Sequence, residues 1–169
     1  MRMRNLLSAL ALAGLSAMLP LQAGAVTLGV SLASDTNPFY VAMRSGIEKK
    51  AQELGWEVRF VTANESVAAQ VSGVEDLVAQ GVDGILISPI DAVAAAPAYA
   101  AAASQSIPII SVARNAPTPD QTAAVAMDEK QIGADIAAAL AGMIDGKGPI
   151  AMLAGPSGAA TFRNPAEGF

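Results

Sequence analysis

Residues 35–40, Asp-Thr-Asn-Pro-Phe-Tyr, bring an amide, a plain ring and a phenol together in one short segment. The Asn37 amide can donate and accept hydrogen bonds at once, which suits neighbouring hydroxyl groups. The flat faces of Phe39 and Tyr40 can pack on the C–H surface of a sugar ring and bury apolar area that polar groups cannot cover. Farther on, Arg114 offers a guanidinium fork that pairs with hydroxyls or a carboxylate. Each residue also has a plainer use. Asn37 can cap a helix, one of the rings can be core, and Arg114 can be a solvated loop arginine. Asp35, Asp91 and Asp128 could supply a carboxylate acid–base pair, and each can equally be a helix cap.

Other chemistry is excluded by what the chain lacks. It has no Cys and no His, so thiolate nucleophiles, the imidazole base and the usual zinc ligands are missing. No acidic run has the spacing of a calcium loop. There is no G-x-G-x-x-G for a dinucleotide and no G-x-x-x-x-G-K-[ST] for a nucleoside triphosphate. Gly155-Pro156-Ser157-Gly158 is not the G-x-S-x-G of a nucleophile elbow and reads as a strand-to-helix turn. No metal or cofactor is therefore expected. With 10 basic against 15 acidic residues the chain is acidic, which argues against a nucleic-acid partner.

The elements that must position these residues follow from hydrophobic periodicity. Short apolar or alternating runs at 26–33, 56–61, 84–88, 107–112, 122–127 and 150–154 read as six strands. Helical spacing fills the gaps. The first helix opens at Asn37-Pro38 and carries an inner stripe of Val41, Met43, Ile47, Ala51 and Leu54, with Gly55 as its stop. The second opens at Asn64 or Ser66 and stops at Gly81. The third is capped by Asp91 and runs to about residue 105. The fourth runs from Asp128 to residue 144, and the small-residue loop 155–160 leads into a further helix. This alternation predicts an α/β fold: an open parallel sheet with helices on both faces. Ligands of such sheets bind beyond the carboxyl ends of the strands. Residues 34–40, 62–64, 88–91, 113–115 and 128 fall on that rim, and they hold most of the polar groups named above.

The amino end has its own pattern. Arg2 and Arg4 precede an apolar run from Leu6 to Leu19, followed by Ala23-Gly24-Ala25. That order is a secretory signal peptide, and the run is shorter than the roughly 20 residues needed to cross a bilayer. Cleavage after Ala25 and export to the periplasm are expected.

At this point the chain resembles a known family. VTLGVSLASDTNPFYVAMRSGIEKKAQELGWEV, GILISPIDA, IPIISVARNA and AVAMDEKQIGADIA, in that order, are similar to the periplasmic sugar-binding proteins of the ribose-binding type. The similarity runs from Val26 to Phe169. It implies a monomeric receptor that hands a monosaccharide or polyol to the membrane permease of an ABC importer, and in some members to a chemoreceptor. It implies two α/β lobes that close on the solute, here 26–127 as the amino-terminal lobe and 128–169 as the beginning of the second, with a first hinge crossing near residues 127–128. In such proteins the asparagine of the N-P-F segment bonds sugar hydroxyls, a role that falls to Asn37. The following aromatics, Phe39 and Tyr40, stack on the ring, and Arg114 is the arginine after the fourth strand.

The chain departs from that pattern in three places. Ribose binders have an aspartate before the arginine, where this chain has Ala113. They have a binding arginine three residues before the glycine of the closing G-F, where this chain has Pro165, with Arg163 two residues earlier. The solute is thus open among sugars, polyols and related small molecules. Family members also run to nearly twice this length, so the second lobe is expected to be incomplete, with few sheet neighbours for 150–154 and poor stability. Two other classes compete: an exported hydrolase built on the three aspartates, and a sugar-responsive transcription regulator. The second would need a DNA-binding head and a basic surface, neither of which this acidic sequence has.

Overall fold

A computed structural model of the chain describes residues 24–155 and 158–169. The expected leader and its apolar run lie outside the described residues, except for the last two leader positions. Five strands form one sheet: β1 (Thr27–Leu32), β2 (Glu57–Thr62), β3 (Gly84–Ile87), β4 (Ile109–Ala113) and β5 (Ala123–Ala126). Their order is β2-β1-β3-β4-β5 and every pairing is parallel. Val30 of β1 stands between Phe60 of β2 and Leu86 of β3, and Ala113 of β4 is in register with Ala126 of β5.

Helix α1 (Pro38–Leu54) starts where expected. Asn37 accepts from the Phe39 N–H at 3.0 Å, and Pro38 occupies the first turn, where its missing N–H costs nothing. Gly55, with φ 70°, ends it in the left-handed conformation that only glycine adopts freely, and the Trp56 N–H returns to the Ala51 carbonyl at 2.9 Å. Ser66 caps α2 (Val67–Ala79) by accepting from the Ala69 N–H.

Strand alternation divides the core between two faces. Ile85, Ile87 and Ile109 point toward α2 and α3 (Ala96–Ser104), packing with Val74, Leu77 and Tyr99. Val30, Leu32 and Leu86 point the other way, under α1 with Tyr40, Met43 and Ile47. The inner stripe of α1 is therefore Tyr40, Met43, Ile47 and Ala51. Val41 and Leu54 of the expected stripe are exposed: Val41 sits about 100° off that line, whereas Leu54 is in phase with it but is the last residue of the helix.

Two further expectations need correction. Asp91 does not cap a continuous helix: it accepts from the Val93 and Ala94 N–H groups in a turn over residues 92–95, and α3 proper begins at Ala96. Residues 150–154 are not a strand. A strand is stabilised by its neighbours' backbone groups, and no described strand lies alongside. Helices α4 (Glu129–Met143) and α5 (Ala160–Gly168) pack chiefly on each other, with Gly133 against the Pro165 backbone and Gly168 against the Lys130 carbonyl. Lys130 pairs with Glu167 at 2.8 Å across the same contact. Among the described residues no helix is long and apolar enough to cross a membrane.

Candidate functional site

The strand exits build one polar face. Beyond β1, the buried Ser34 Oγ accepts from the Thr36 and Asn37 N–H groups (3.3 and 3.2 Å), fixing the turn into α1. Asn37 is exposed there; its Oδ1 is used as the helix cap, while its NH2 group makes no hydrogen bond among the described residues. Phe39 is 52% exposed. Tyr40, one position on, points inward and is only 3% exposed. The two rings meet edge-on, with centroids 5.2 Å apart and planes at 84°.

Arg114 leaves the end of β4 through a tight turn. Its N–H bonds back to the Val112 carbonyl at 2.7 Å across Ala113, whose φ of 62° is left-handed. A three-residue turn of that hand is rare and strained, and such strain gathers at functional sites. The turn lays the Arg114 guanidinium 5.6 Å from the centre of the Tyr40 ring, a cation–π contact. The Glu65 carboxylate lies 3.8 Å away, on the loop after β2, which is tied to β1 by the Glu65 N–H on the Ala33 carbonyl at 2.8 Å. The Arg114 side chain is only 11% exposed, so its charge is held largely away from water.

The structure thus draws Phe39, Tyr40 and Arg114 into one contact set, with Asn37 at its edge. Tyr40 contributes a buried wall, and Phe39 presents the open ring. Sequence reasoning put Ser88 on the rim without a role and overlooked Glu65 and Gln70; Glu65 pairs with Arg114, and Gln70 and Ser88 hold this face from behind. Gln70 had a readable signal: it is a polar residue on the buried side of α2, among Val67, Val71 and Val74.

The three aspartates do not form an acid–base pair. Asp35 is exposed beside the turn. Asp128 caps α4, accepting from the Gln131 N–H at 3.0 Å. The Ala94 and Val93 N–H groups, aided by Arg163, outweigh desolvation and hold the Asp91 carboxyl below its usual range. A carboxylate kept ionised in this way is a poor proton donor. No cluster of acidic side chains among the described residues could hold a metal ion. A cleft of about 340 Å³ lies elsewhere, between α4, α5 and residues 150–155; Ile136, Leu140, Met152 and Phe162 make its walls apolar.

The profile of the periplasmic binding protein domain family matches residues 28–169. The chain belongs to that family. The chain is 34% identical over 143 residues to the ribose import binding protein RbsB of Bacillus subtilis, a match that covers 85% of this chain and 47% of that protein. It is 30% identical over 135 residues to the xylitol-binding protein of Mycolicibacterium smegmatis, covering 80% and 39%. Among solved structures, the periplasmic binding protein component of the arabinose ABC transporter from Shewanella sp. ANA-3, bound to L-arabinofuranose, superposes with a TM-score of 0.78 at 26% identity, covering 85% and 48%. The chain spans about half the length of the relatives it matches. The α/β parallel-sheet reading and the family resemblance both stand on these matches and on the observed topology.

Proposed function

We propose that this chain belongs to an extracytoplasmic solute receptor that binds a monosaccharide or related polyol and delivers it to the permease of an ABC importer. The observation that carries the reading is the contact set at the strand exits: an open Phe39 ring braced edge-on by Tyr40, with the Arg114 guanidinium over the Tyr40 face. Asn37 and Arg114 would take the hydroxyls, while Phe39 would stack on the ring carbons with Tyr40 behind it. Relatives named for ribose and xylitol, both uncharged and rich in hydroxyls, support that solute class. Residues 26–127 would form the amino-terminal lobe and 128–169 the start of a second. The packing of α4 on α5 rather than on the sheet supports that division. Closure of two lobes would remove water from the hydrogen bonds and strengthen them. Periplasmic location, monomeric state and service to a chemoreceptor belong to the same proposal. The reading is non-enzymatic, since binding needs no covalent step.

The test is a thermal-shift screen of the purified protein against pentoses, hexoses, polyols and amino acids. A ligand that binds only the folded state raises the melting temperature, by about 2.7 kcal/mol of stability at a hundredfold excess over its Kd. A pentose or polyol should raise it, and Phe39→Ala with Arg114→Ala should abolish the rise. A response to amino acids alone sinks the proposal.

A further inference from the structure

We infer that Gln70 is a positioning residue for the solute face: its buried amide grips the exit of β3 and, through Ser88, sets the place of Tyr40. The inference rests on the solute-binding reading above.

Gln70 has no exposed surface, and a buried amide is costly unless its groups are bonded. Its Nε2 donates to the Ser88 carbonyl at 3.0 Å, and its Oε1 accepts from the Ile90 N–H at 2.9 Å. A longer contact of 3.5 Å reaches the Ser31 hydroxyl of β1. Strand β3 ends at Ile87, so the Ser88 carbonyl and the Ile90 N–H lie past the end of the sheet ladder. The side-chain amide, with its donor and acceptor side by side, substitutes for the missing neighbouring strand. Ser88 then passes the constraint on. It is itself fully buried, and its hydroxyl donates to the Tyr40 oxygen at 3.3 Å. The Tyr40 ring also bears the contacts with Phe39 and Arg114. An unbroken polar chain therefore runs from α2, through the β3 exit, to the ring against which both candidate ligand groups rest. An apolar side chain in place of Gln70 would leave the buried Ser88 carbonyl and the partly buried Ile90 N–H unpaired and the exit free to shift.

The experiment compares wild type, Gln70→Met, Ser88→Ala and the double variant. Amide exchange and side-chain NMR report the geometry, and calorimetric titration with D-ribose, xylitol and myo-inositol reports binding. Gln70→Met should lose protection at the Ile90 amide roughly tenfold or more and move the Tyr40 and Arg114 resonances, while Ile109 in β4 stays protected. Ser88→Ala should leave Ile90 protected yet move Tyr40. Each should weaken binding of the responding solute about tenfold, and the double variant should weaken it by clearly less than the product, because both cut one chain. Multiplicative losses, or unmoved Tyr40 and Arg114 resonances in both single variants, overturn the inference. Should Gln70→Met not fold, Ser88→Ala decides alone by its Tyr40 shift. Wild type that binds none of the three solutes counts against the solute reading, while the Ile90 and Tyr40 signals still decide the positioning role.

Discussion

Ala113 occupies one of the positions where the rim departs from ribose binders, and its backbone makes the departure testable. At φ 62° a side chain with a Cβ carries strain of about 1–2 kcal/mol, and aspartate and asparagine tolerate this region better than other residues. Ala113→Asp should therefore fold with stability within about 1 kcal/mol of the parent. It would also place a charged acceptor beside Arg114, and a hydrogen bond to a charged group contributes about 1.5–3 kcal/mol. D-ribose affinity should rise about tenfold or more, measured by calorimetric titration. Unchanged ribose affinity in a well-folded Asp variant would show that position 113 does not reach the solute. At this scale the sequence was only partly legible. Phe39 and Tyr40 are adjacent, equally aromatic and on the same rim, so composition could not say which one turns inward. Neighbouring helix residues point about 100° apart, and Tyr40 takes the core because it lies in phase with Met43, Ile47 and Ala51.

Helices α1 and α2 place the site, and two glycines show how differently they are set. Gly46 lies mid-way along α1 with nothing within 4 Å of an added Cβ. Gly73 lies in α2 with the Val61 Cβ of β2 only 3.0 Å from that point. Glycine inside a helix costs roughly 0.5–1 kcal/mol relative to alanine. Gly46→Ala should recover about that much, seen as a rise of a few degrees in melting temperature. Gly73→Ala should recover little or none of it, because the edge strand must move away, and with it the distance from which Gln70 reaches the β3 exit. Equal gains at the two positions would show that Gly73 does not set this approach. Helix ends were legible because capping is local: Asn37, Ser66 and Asp128 each bond an amide two or three residues on, and Gly55 supplies the left-handed stop. The expected strand at 150–154 failed for the converse reason. Its residues are right for a strand, but a strand is a property of a pair, and no local pattern states whether the partner is there.

Across the whole molecule, order is built unevenly. The ladder from β2 to β4 is clasped by α1 on one side and by α2 and α3 on the other, and its central isoleucines are fully buried. Toward the carboxyl side the burial fades. All four residues of β5 are exposed, Val125 at 69%, and Leu153 has no protection at all. Lys130 pairs with Glu167 across the contact between α4 and α5, and Asn164 donates to Glu129, but a solvent-exposed ion pair contributes little. Few buried apolar contacts and an open cleft mean that α4 and α5 should open without unfolding the sheet. Native-state amide exchange should therefore give two classes. Amides of β1, β3 and β4 should report the global unfolding free energy, and those of α4 and α5 a value lower by roughly 2 kcal/mol or more. An apolar dye should bind the native chain at the same cleft, in competition with nothing at the strand exits. If exchange is uniform from β1 to α5, the chain melts as a single cooperative unit, and the division near residue 127 loses its physical basis, because a lobe boundary in a clamp is a place where stability as well as chain direction changes.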